Sequence, residues 1–107
     1  MNSEPIFQLA DLVSEAHARI QQDFPMLDPV VGISRGMRNN GIPADAMTID
    51  CLKSGKRIIV IAHDGDPNRI RYQFSYKDQD PGADFTFMDI STVTAQTFYD
   101  WMSDYLG

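Results

Sequence analysis

Four short segments in the second half of the chain, MTIDCLK, RIIVIAH, IRYQFSYK and DFTFMD, alternate apolar and polar residues. A period of two sends successive side chains to opposite faces of a strand, so each segment has one face to bury. The separators SG, DGDPN and DQDPGA are short; all carry Gly, and the latter two add Pro and Asp, the residues that turn a chain back on itself. Links this short join antiparallel neighbours, because a parallel crossover needs about a dozen residues or more. The expectation is a four-stranded antiparallel meander.

Two hairpin assumptions set the faces. With Ser54-Gly55 as a two-residue loop, Cys51 opposes Ile58 and Ile49 opposes Val60. With residues 64–68 as the next loop, His63 opposes Arg69 and Ala62 opposes Ile70. Both place Met47, Ile49, Cys51, Ile58, Val60, Ala62, Ile70, Tyr72, Phe74, Tyr76, Phe85 and Phe87 on one side, the expected core face. The outer face then carries Thr48, Asp50, Leu52, Arg57, Ile59, Ile61, His63, Arg69, Arg71, Gln73, Ser75, Thr86 and Met88.

The chain supplies two apolar helices to cover the core face. Over residues 4 to 24, Ile6, Leu9, Val13, Ala16, Ile20 and Phe24 recur at spacings of three and four, with Ser3 as N-cap, Glu4 and Pro5 in the first turn, and Pro25 as the stop. Phe98, Trp101, Met102 and Tyr105 fall on one face of a C-terminal helix capped by Thr94 or Ser91. A sheet of four strands is wide enough for two helices of about 10 Å diameter. The expected fold is a single α+β domain over residues 1–107, a two-layer sandwich of order α-β-β-β-β-α with both helices on one face. Residues 25–46 hold three prolines and three glycines. That segment leaves room for a short strand at Val30 to Ile33, and is long enough either to act as a functional loop or to fold over the outer face.

Composition narrows the function classes. Nine Lys and Arg stand against fifteen Asp and Glu, a formal net charge of −6 that argues against nonspecific binding to nucleic acid or anionic membranes. Specific nucleic-acid contact through Arg57, Arg69 and Arg71 is the weakest reading kept. Cys51 is the single cysteine, which excludes an intramolecular disulfide and a cysteine zinc cluster. The start lacks a basic region followed by an apolar one, and no run approaches the roughly eighteen apolar residues of a membrane span. The cytoplasm is the expected compartment.

The stretch HDGDPN, residues 63–68, invites a metal reading. Asp64, Asp66 and Asn68 match the opening of a calcium loop, but Arg69 and Ser75 stand where its glycine and bidentate glutamate belong. A turn explains every residue instead: Asp and Asn bond their own backbone, Gly permits positive φ, and Pro sets the bend. No metal and no cofactor is expected. In GISRGMRNNG, Gly36 and Gly41 have the spacing of a phosphate loop, yet Ile42-Pro43 follows where Lys and Ser or Thr must be. Glycine backbone with Arg35, Gly36 and Arg38 could still cradle a carboxylate or phosphate. Cys51 has no neighbouring histidine, and no G-x-S-x-G is present, so no catalytic residue is expected. The preferred function is a noncatalytic binding or adaptor domain. It would act through Leu52, Arg57, Ile59, Ile61, His63, Arg69, Arg71 and Met88 on a protein partner, or on a second copy as a homodimer. The competing class is an anionic small-molecule binder or minor enzyme using loop 29–42.

Overall fold

The computed structural model describes residues 5–79, 82 and 84–106, so the expected roles of Ser3 and Glu4 fall outside it. Helix α1 spans Pro5–Asp23. Strand β1 (Val30–Ser34), a helical turn α2 (Gly36–Asn39), and strands β2 (Ala44–Asp50), β3 (Lys56–His63), β4 (Arg69–Tyr76) and β5 (Thr86–Asp89) follow. A 3₁₀ turn at Ile90–Thr92 leads into α3 (Ala95–Trp101), which runs on as a π-helical turn, Met102–Leu106. The strands form one antiparallel sheet in the order β1-β2-β3-β4-β5. The α+β class with helices at both ends is as expected. The strand count is not: there are five, because the 25–46 segment adds β1 beside β2 and does not lie over the outer face.

The core is built from the helix stripe and the sheet face. Ile6, Val13, Ala16 and Ile20 of α1 are fully buried against Met47, Ile49, Ile58, Val60 and Ile70. Phe24, expected on the same stripe, falls past the helix end and is 41% exposed. At the other terminus Thr94 caps α3: its side chain accepts from the Thr97 amide, and Thr97 returns the bond to the Thr94 amide. Trp101 then joins a ring cluster, 4.4 Å from Tyr72, 5.7 Å from Phe74 and 5.3 Å from Phe98 between centroids, while Tyr105 stacks on Phe74. The wider π turn also brings Leu106 into the core, a residue that the three-and-four spacing does not pick out.

Two registers differ from expectation, with opposite consequences. Ile49 pairs with Ile58 and Asp50 with Arg57, so the β2–β3 pairing is shifted by two residues and the connection is longer than Ser54-Gly55. A shift of two preserves the faces. It removes Leu52 from the sheet, however, leaving it 62% exposed in the turn. Gly55, at φ 74°, supplies the left-handed residue that this turn needs. The β3–β4 register, with Ala62 opposite Ile70, is as expected.

In β5 the facing is the reverse of that expected. Met88 pairs with Ile70 and Phe87 with Arg71, so Met88 faces the core and Phe87 faces outward. The cause lies on β4. The Gln73 amide nitrogen donates to the carbonyls of Gly82 (3.2 Å) and Asp84 (3.0 Å), and its oxygen accepts from the Gly82 amide (3.1 Å). That clamp holds Gly82 and Asp84, which lead into β5, against the outer face. Arg69 and Arg71 then lie over the Phe87 ring, at 4.6 and 5.0 Å from its centroid.

Candidate functional site

The outer sheet face is assembled by strand alternation. Thr48 and Asp50 of β2, Arg57, Ile59, Ile61 and His63 of β3, Arg69, Arg71, Gln73 and Ser75 of β4, and Phe87 of β5 point away from both helices. Leu52 and Met88, expected here, do not join them, and Phe87 enters in their place. The period of two holds in β5, with the opposite face turned inward. Among the described residues no helix packs over this face.

Its electrostatics are less basic than the count of arginines suggests. Arg57 grips Asp50 through two bonds, Nε to Oδ1 at 2.6 Å and Nη2 to Oδ2 at 2.9 Å. Arg69 pairs with Asp66 at 3.0 Å. The Arg57 guanidinium is held further into its charged range, first by the Asp50 hydrogen bonds and against the cost of burial. Arg71 differs: its one described polar or aromatic contact is the Phe87 ring, and its Nε is buried without a hydrogen-bond partner. The Ser75 hydroxyl on the same strand is likewise buried and unpartnered. Between them, Ile59 is only 7% exposed, sheltered by its neighbours on the face, while Ile61 is half-buried. The result is a surface on which two guanidiniums lie over one aromatic ring, and only that of Arg71 lacks a described carboxylate partner, beside a half-buried isoleucine.

The glycine-arginine loop is organised differently. Arg35 and Arg38 both donate to Asp45, from Nε at 2.9 and 2.8 Å respectively, and Arg38 adds a second pair of bonds to Asp64 at 2.8 and 2.9 Å. Asp45 is 2% exposed and lies on the helix side of β2, opposite Ala62. Its carboxyl is held down to about 2, chiefly by the Arg38 hydrogen bonds, which with those of Arg35 outweigh burial. Gly36 sits in the four-residue α2 turn, its amide donating to the Ser34 hydroxyl at 3.3 Å. Both arginines already share a buried carboxylate, and an incoming anion would have to compete with it or share their exposed sides. The structure uses this loop to fasten the β1–β2 connection onto the domain.

HDGDPN is the β3–β4 turn. Asp64 accepts from Arg38 and Asp66 from Arg69, and the Gly65 amide donates to His63 Nδ1 at 2.9 Å. Gly65 is not in the left-handed conformation expected of it. Glycine suits the site because a Cβ would stand 3.1 Å from that same imidazole nitrogen. Among the described residues no group of three or more His, Cys, Asp or Glu side chains could hold a metal ion. Cys51, 6% exposed, lies beside a cavity of about 480 Å³ lined in part by Phe24, Met26, Leu27 and Leu106. Burial pushes its thiol up, but the Ser54 hydroxyl, the amides of Ser54 and Lys53 and the Lys53 charge outweigh that and leave it below the ordinary thiol value. His17 is half-buried on α1 and donates from Nε2 to the Pro29 carbonyl at 2.8 Å.

No helix among the described residues is long and apolar enough to cross a membrane. No model of a known protein family matches this chain, and neither a curated protein nor a solved structure matches it.

Proposed function

We propose that this is a noncatalytic binding module, acting in the cytoplasm, whose outer sheet face receives a protein partner. The observation that carries the reading is Arg71. It lies on a face that no helix covers among the described residues, stacked on Phe87, beside Ile61, with no carboxylate among its described contacts and its Nε unpartnered. Arg57 and Arg69 on the same face both have acidic partners, so Arg71 is the position where a partner's carboxylate adds a charge-assisted bond. A complementary partner therefore presents an acidic side chain next to an apolar one. The acid meets Arg71 and the apolar group packs on Ile61 and the Phe87 ring.

The experiment places a photo-crosslinking residue at position 61 in cells that make the protein, and at Glu15 on the exposed side of α1 as a control. The expected result is a discrete protein adduct from position 61, absent from position 15 and lost when Arg71→Glu is added. Adducts indistinguishable between the two positions, or insensitive to Arg71→Glu, would refute the reading. Ile61→Asp should abolish the same adduct, tested with the crosslinker moved to Thr48 on the same face, without unfolding the domain, because Ile61 points away from the core.

A further inference from the structure

The two edges of the sheet are built differently. β5 is four residues long, ends on Asp89, and follows a connection clamped to the sheet by Gln73. β1 reads VVGIS, with no charge and no proline, and all five of its residues are exposed. Its register with β2 runs unbroken from Val30 to Ser34, so no bulge turns the strand aside. Edge strands offer unpaired N–H and C=O groups to any extended chain, and folded proteins ordinarily block them with charge, proline, a bulge or a covering segment. Among the described residues β1 has none of these. Its side chains are open on both faces: Val30 is 47% exposed on the outer side, and Val31 and Ile33 are 37% and 40% exposed on the helix side. Beyond its end, Arg35 and Arg38 anchor the chain to Asp45 and hold the strand in place.

The strand is also self-complementary about its middle residue. Two copies running antiparallel, related by a two-fold axis at Gly32, place Val31 of each opposite Ile33 of the other and Val30 opposite Ser34. An isologous contact of this kind closes on itself and needs no second surface. The residue at the axis carries no side chain. On the helix side, the Val31 and Ile33 pairs make one apolar row. That row continues the floor of the groove of about 400 Å³ that runs between β1 and α1, past Ala10, Val13 and His17. No charge on the strand repels a second copy, and none selects a foreign chain instead.

We propose that the β1 edge is occupied by a second copy of this chain, joining two five-stranded sheets into one continuous antiparallel sheet. The two outer faces then merge across a low strip of Val30, Gly32 and Ser34, so each copy completes the other's surface. The inference stands apart from the partner-binding reading, because it is tested on the purified protein alone.

Sedimentation of the wild-type protein at about 100 µM should give twice the 12.1 kDa of one chain. Val31→Lys combined with Ile33→Lys should return it to the single-chain mass with an unchanged circular dichroism spectrum, since both positions are substantially exposed. The register is tested in a Cys51→Ala background. Gly32→Cys should oxidise to a cross-linked dimer, because paired Cα atoms lie about 4.5–5.5 Å apart, within disulfide reach. A Cβ at Gly32 meets only the Thr48 hydroxyl, at an ordinary 3.5 Å. Val30→Cys should not cross-link, because the two copies of residue 30 lie four positions apart, about 13 Å. A single-chain mass for the wild type, a dimer that survives both lysines, or equal cross-linking by the two cysteine variants would overturn the proposal. Should the lysine variant fail to fold, the cysteine pair decides alone.

Discussion

Asp45 is the residue whose removal most directly tests how the β1–β2 connection is held. Its carboxylate is 3% exposed at the side chain and accepts from Nε of both Arg35 and Arg38, whose own side chains are 41% and 31% exposed. A carboxylate buried this far is costly unless paired. The pairing depresses its pKa from 3.8 to about 2. A depressed folded-state pKa means stability that is present above the unfolded value and lost as pH falls through the folded one. The contribution is therefore complete above roughly pH 5 and disappears between about pH 4 and pH 2. At about 1.4 kcal/mol per pKa unit the ceiling is near 2.5 kcal/mol, and screening at the half-exposed guanidiniums lowers the expectation to about 1–2 kcal/mol.

Asp45→Asn keeps the shape and removes the charge. Urea unfolding at pH 7, followed by Trp101 fluorescence, should show a loss of about 1–2 kcal/mol, a fall of roughly 5–15 °C in Tm for a chain of this size. The difference between variant and wild type should then shrink as pH is lowered toward 2, because the wild type loses the same interaction by protonation. The guanidiniums left behind can rehydrate, so the cost stays below that of an orphaned buried charge. If Asp45→Asn matches the wild type to within about 0.5 kcal/mol at pH 7, or if the gap persists undiminished at low pH, the reasoning fails.

The orientation of β5 is tested by two charges on adjacent residues. Met88→Asp should cost at least about 2 kcal/mol because it points at Ile70, whereas Phe87→Asp, at a 45% exposed position beside two arginines, should change stability by less than about 1 kcal/mol; the reverse order in chemical denaturation would restore the opposite facing. Trp101→Ala removes a partly buried ring from the Tyr72, Phe74 and Phe98 cluster and should cost about 2–4 kcal/mol by urea unfolding; a cost under about 1 kcal/mol would mean that the cluster contributes little. Millimolar calcium should leave Tm unchanged, since Asp64 and Asp66 already accept from Arg38 and Arg69; a rise abolished by Asp64→Ala would show a site in the turn.

The fold class was legible because it rests on periods. The three-and-four spacing of Ile6, Leu9, Val13, Ala16 and Ile20 and the two-residue alternation from Met47 to Tyr76 each select one face whatever the register. That tolerance explains why the β2–β3 pairing could be displaced by two positions with Ile49, Ile58 and Val60 still in the core. It failed for β5, where the DQDPGA connection can absorb one residue more or less and both Phe87 and Met88 are apolar enough to face inward. The deciding contacts are non-local: Gln73 to the Gly82 and Asp84 backbone, and two arginines onto Phe87. β1 was half visible, because five residues among prolines and glycines do not show whether they pair or drape over the sheet. The ion pairs of Arg35 and Arg38 were invisible for the same reason. Asp45 precedes the alternating segment by two residues, in phase with Met47 and Ile49, so extending the strand sends it to the helix side, but a carboxylate there does not read as a core position until its arginine partners are known.

The outward turn of Phe87 changes what chemistry the outer face offers. With Met88 and Leu52 on it, the face would be an aliphatic strip rimmed by Arg57, Arg69 and Arg71 with no aromatic ring beneath them. With Phe87 in their place, and with Asp50 and Asp66 neutralising Arg57 and Arg69, a ligand meets a single uncommitted guanidinium braced by a ring. Affinity for nucleic acid grows with the number of phosphates neutralised, and the salt slope is about −0.9 per contact. One such contact on a chain of net charge −6 supports neither strong binding nor steep salt dependence. A carboxylate on a protein surface needs only one guanidinium, and the adjoining Ile61 and Phe87 supply the apolar area that an isolated ion pair lacks. On the proposed reading, the two acidic pairings on the face favour a carboxylate-bearing protein over a polyanion, and the outward Phe87 adds the apolar area beside the remaining guanidinium.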